Sequence, residues 1–158
     1  MSGARARANH SLYLARILIR SWQTAQAEQQ ASRLALAQAF TCATRDHLLE
    51  AYGWFLLQIA APDSLPEAPP RSCAELPQLS PGKARSGEIS EFVLLENDGW
   101  LAQLLNTVRP SAGGLSSRDP RNLAAPVAAV ESSAEQFAEW ADALAEIFDR
   151  MGDSLDEY

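Results

Sequence analysis

Few side chains in this 158-residue sequence have the chemistry of catalysis: two histidines, His10 and His47, and two cysteines, Cys42 and Cys73. Histidine titrates near neutral pH, and a cysteine thiolate is both nucleophile and metal ligand. Cys42, Asp46 and His47 are close neighbours, and the step from Cys42 to Asp46 is one helical turn, which sets a thiol and a carboxylate on one face. His47 projects away from that pair and no second ligand pair follows, so the donors of a metal site are not assembled. Arg5 and His10 repeat the spacing of the arginine and histidine that toxin-associated helical ribonucleases carry on a late helix. Here the two stand at the start of the sequence, where a frayed helix end is expected, and coincidence is the plainer account. The Glu-x-x-His signature of di-iron bundles is missing, as are a nucleophile elbow, a phosphate-binding glycine loop and a dinucleotide fingerprint. The sequence therefore predicts no catalytic residue, no metal and no cofactor.

Charge carries more information, because it is divided unevenly. The net charge is −7 and the isoelectric point about 4.8. Residues 1–60 hold Arg5, Arg7, Arg16, Arg20, Arg33 and Arg45 against Glu28, Asp46 and Glu50, whereas residues 131–158 hold nine acids against Arg150 alone. Broad nucleic-acid binding depends on neutralising phosphates with Lys and Arg, so the overall balance argues against it. A local basic face on the first helix, Arg5, Arg7, Arg16 and Arg20 with Tyr13 among them, keeps RNA or DNA binding, with or without cleavage, as the alternative function. The simpler reading of those arginines is that they pair with the acidic last helix.

The elements that would position these groups are helical throughout. Leu14, Ala15, Leu18, Ile19, Trp22 and Ala25 recur with the helical period, while Asn9, Tyr13, Arg16, Arg20 and Gln23 take the opposite face. This predicts a first helix capped at Asn9 or Ser11 and ending near Ala27, with a turn over 26–32. A second helix from Ser32 to about Ala61 is apolar nearly all round between Leu48 and Ala60, as a central helix of a bundle should be. Gly53 there would allow a neighbour to approach closely.

Prolines 62, 66, 69, 70, 77 and 81 forbid helix until about Gly87, and 62–87 is expected to be a connection crossing the length of the bundle. Helix resumes over 88–95 and 99–108, kinked near Asn97, Asp98 and Gly99, and a second Pro/Gly-rich connection covers 109–130. The last helix opens with Ser132 and Glu135 in capping-box spacing. Phe137, Trp140, Ala141, Leu144, Ile147, Phe148, Met151 and Leu155 form its packing stripe, and Glu135, Glu139, Asp142, Glu146, Asp149 and Asp153 stand between them. The expected fold class is all-α, one domain over 1–158, a bundle of four or five helices with two long connections.

Asn9, Leu12, Tyr13, Ala15, Arg16 and Leu18, then His47, Leu48, Ala51 and Tyr52, then Trp100, Leu101, Ala102, Leu104 and Leu105, and finally Trp140, Leu144, Leu155 and Tyr158 carry a resemblance. The sequence resembles a small bacterial family known only as a domain of unknown function. That resemblance covers nearly the whole chain and implies an all-helical, cytoplasmic bacterial protein; it brings no activity or cofactor.

With no convergent catalytic groups, the expected function is that of a small non-catalytic adaptor acting through protein contacts or self-association. Its candidate contact residues are Tyr13, Arg16 and Arg20 on one side and Glu139, Asp142, Glu146 and Asp149 on the other. No apolar run approaches the length of a membrane span, and the isolated cysteines suit reduced thiols in the cytoplasm.

Overall fold

A computed structural model describes residues 3–77, 87–111 and 132–156, with the side chains of the last stretch described as far as 153. Five α-helices are present among the described residues: α1 (Gly3–Ala27), α2 (Arg33–Ala60), α3 (Gly87–Asp98), α4 (Trp100–Asn106) and α5 (Ala134–Asp156). No strand occurs among the described residues. The architecture is all-α.

Ring contacts fix the directions of the helices. Trp22, near the end of α1, stacks on Phe40 of α2 and tilts against Phe137 of α5, while Arg5 at the start of α1 lies over Phe55 and Phe148. Hence α1 runs antiparallel to both α2 and α5. Phe92 of α3 meets Tyr52 and Phe55, and Arg45 of α2 reaches the Thr107 carbonyl just beyond α4, so α3 and α4 together run back along α2. Glu91 and Arg150 tie α3 to α5. The chain thus passes up, down, up and down, with the broken α3–α4 pair in the third position.

Seven successive residues of α2, Ala51 to Leu57, are buried, which only a helix enclosed on several sides can sustain. Each large side chain among them stabilises the fold by roughly 1.5–3 kcal/mol through removal from water. Ser32 caps α2, its hydroxyl accepting from the Ala35 amide at 3.1 Å. Ala61, in the left-handed region at φ 44°, ends it.

Three expectations need correction. α1 begins at Gly3 rather than at Asn9 or Ser11, because Ala4 and Ala8 extend the buried stripe through Ser11, Ala15 and Trp22. Ser11 is then an interior residue and donates to Glu50 Oε2 at 3.5 Å. The cap of α5 is Ser133, which accepts from the Gln136 amide at 3.1 Å, one residue later than Ser132; this register brings Phe137 and Ala141 inward. The first long connection does not span the bundle: residues 62–77 fold back on α2, and Cys73 lies against Tyr52 and Ile89, so α3 starts near where α2 ends. The return journey is made by α3 and α4 themselves, broken at Gly99 as expected. The expected second connection lies outside the described residues from 112 to 130, as do Tyr158 and the side chain of Leu155.

Candidate functional site

The outward turns of α1 carry Tyr13, Ile17 and Arg20, four and three residues apart and therefore on one strip of the helix surface. Tyr13 is 57% exposed and Ile17 41%, large side chains left in water beside a helix whose opposite face is well buried. The sequence singled out Tyr13 and Arg20 but missed Ile17. Its signal was the four-residue step from Tyr13.

Along α5 the acids Glu135, Glu139, Asp142, Glu146, Asp149 and Asp153 share one stripe opposite the core. Asp142 accepts from Arg16 Nη1 at 2.9 Å, and Asp149 lies 3.6 Å from Arg5 Nη2. Glu139 accepts from Gln136 at 3.4 Å, while Glu139, Glu146 and Arg20 have no ion-pair partner among the described residues. Among the described residues one ion pair, Arg16 to Asp142, links the two groups of candidate contact residues across α1 and α5. The tail from 154 onward falls outside the described side chains.

The basic face expected on α1 is largely turned to structural use. Arg5 donates to the Phe148 carbonyl at 2.6 Å and lies over the Phe55 and Phe148 rings, 5.3 and 5.6 Å from their centres. A side chain at Gly152 would begin to crowd it, since a Cβ there meets Arg5 Nη1 at 2.8 Å. Arg7 stacks over Trp54 at 4.6 Å. Such cation–π contacts contribute about 0.5–1 kcal/mol where the cation is exposed, as at Arg7, and up to about 2 kcal/mol where it is desolvated, so the half-buried Arg5 binds the bundle together more than Arg7 does. Arg5 thus contacts Asp149 and the Phe148 carbonyl on α5, whereas His10 is exposed.

His47 Nδ1 is buried without a hydrogen-bond partner, 3.9 Å from Glu50 Oε2, the oxygen that Ser11 approaches. These are the residue types of a hydrolase triad, yet the hydroxyl meets the carboxylate and not the imidazole, which is the reverse of the triad's order. Asp46 is engaged by Arg45, and Cys42 stands apart as a free thiol. Among the described residues no three His, Cys, Asp or Glu side chains gather to hold a metal.

One polar cluster had no local signal in the sequence. Tyr52 donates to Glu96 Oε1 at 2.5 Å, the Cys73 amide donates to the same oxygen at 2.8 Å, and Cys73 Sγ lies 3.5 Å from the Tyr52 hydroxyl. Burial first, and then the bond to Glu96, push the Tyr52 phenol far above its ordinary range. The cluster joins α2, α3 and the 62–77 connection, and it serves as a clasp.

The molecule is thus an all-α bundle with a stripe of acids along the outer side of α5. The chain belongs to a family of unknown function, DUF6586, whose sequence profile matches residues 1–158. No curated protein and no solved structure matches it. Among the described residues no helix is long and apolar enough to cross a membrane.

Proposed function

We propose that the protein is a non-catalytic adaptor that docks a basic segment of a partner protein on its α1–α5 face. The carrying observation is the exposure of Tyr13 and Ile17 one helical turn apart on α1, the helix that Arg16 ties to the acidic α5. Tyrosine is among the residues that dominate interface energies, because it offers a large, stiff contact area with a polar tip. Glu139 and Glu146 add attraction for arginines or lysines, and such complementarity speeds encounter and selects the partner. An RNA or DNA backbone is a poorer occupant. Of Arg5, Arg7, Arg16 and Arg20, only Arg20 lacks a described partner, and the neighbouring carboxylates repel phosphate.

Affinity capture with the tagged protein tests this reading when run beside a variant carrying Tyr13→Ala, Ile17→Ser, Glu139→Lys and Glu146→Lys. A stoichiometric partner with a basic contact segment should accompany the original protein and be lost from the variant. An identical set of proteins from both, or only further copies of the same chain, would contradict it.

A further inference from the structure

Because α2 and α5 run parallel, both begin at the same end of the bundle, and a cleft of about 160 Å³ opens there between them. Its walls are Trp22 and Gln26 of α1, Arg33, Leu34 and Ala37 of α2, and Pro110, Ser132 and Ser133. We propose that this cleft binds a small aromatic carboxylate, with Arg33 holding the carboxylate and Trp22, Leu34 and Ala37 the ring.

Size comes first. A cavity of about 150 Å³ accepts one benzene ring, so the space suits a single ring bearing a short acidic group. The polarity of the wall decides the rest. No carboxylate among the described residues lines it, and Arg33 is a donor only, with no described partner and a planar fork that matches a carboxylate. Trp22 is 2% exposed, and its indole N–H, also donor only, has no acceptor among the described residues. One turn deeper than Ala37 on the same face of α2, Thr41 keeps a fully buried hydroxyl that is likewise without a partner among the described residues. The first turn of α2 contains no acid, so the partial positive charge of its N-terminus adds to that of Arg33. Donors in excess on a half-apolar wall select an acceptor with an apolar body. This inference is independent of the α1–α5 face.

Titration with sodium benzoate, followed by the indole N–H resonances in ¹H–¹⁵N spectra, tests it; Trp22→Phe assigns the Trp22 signal. Benzoate should shift that signal saturably, and more tightly than acetate, which lacks the ring, or inorganic phosphate, which lacks it too. Arg33 is exposed, so its replacement leaves packing intact, and Arg33→Ala should weaken benzoate about tenfold or more, with Arg33→Lys between. No saturable shift, equal binding by acetate or phosphate, or unchanged affinity in Arg33→Ala would overturn the proposal.

Discussion

A methyl group at position 53 would meet the Pro70 carbonyl oxygen at 2.1 Å and Pro69 Cβ at 2.9 Å. Backbone on one side and a proline ring on the other leave it nowhere to go. Gly53→Ala should therefore destabilise the protein by about 1–2 kcal/mol in urea melts, overpacking outweighing the roughly 1 kcal/mol that alanine gains inside a helix. A rise in the midpoint would mean that the 62–77 connection does not rest there. Tyr52 gives a second test, and here the sign of the pH dependence matters. In the unfolded chain its phenol ionises near about pH 10; in the folded protein burial and Glu96 keep it protonated well beyond that. The stabilisation is fully present below about pH 10 and is lost as the pH rises above it, where the unfolded state alone releases the proton. Tyr52→Phe should cost about 1–2 kcal/mol at neutral pH, from the donor lost to Glu96. The gap between the two proteins in urea melts should then narrow above about pH 10, and a gap independent of pH would contradict this account.

At the scale of elements, the end of α1 is closed by a pair of bonds, Gln30 amide to Ala25 carbonyl at 3.0 Å and Gln29 amide to Gln26 carbonyl at 3.2 Å. This is the Schellman arrangement, and it puts Gln29 in the left-handed region at φ 52°, where glycine is at ease and glutamine is not. Gln29→Gly should raise stability by about 0.5–1 kcal/mol, measured by thermal or urea melts, and a loss would show that the turn does not need that conformation. The turn itself was legible from the polar run 26–32, as were the central helix, the break at Gly99 and the acidic stripe of α5, because each rests on local periodicity or on glycine and proline. What periodicity could not reveal depended on distant partners. Ala4 and Ala8 read as an unremarkable helix end until the assembled bundle buries them. Nothing near Tyr52 in sequence announces Glu96 or Cys73, and the directions of Arg5 and Arg7 depend on Phe148 and Trp54. The candidate contact residues could be named from the sequence, but that Arg16 would meet Asp142 across α1 and α5 was a question of topology.

For the whole molecule, the division is between an interior that is closed chemically and a surface that is not. Tyr52 and Glu96 bond to each other and Arg5 lies over aromatic rings, and such groups hold the four passes of the chain in place. The α1–α5 face is different, since Tyr13 and Ile17 remain in water and Glu139 and Glu146 lack a described counter-charge. The most direct measurement of its role is site-specific photo-crosslinking in cells of the native host, with the photoreactive residue placed at Ile17 or, as a control, at Leu94 on α3. Leu94 is the more exposed of the two, 70% against 41%, so accessibility alone favours the control. The adaptor reading predicts one discrete adduct with a different protein from position 17 and none from position 94. No adduct from position 17, or the same adducts from both positions, would contradict it.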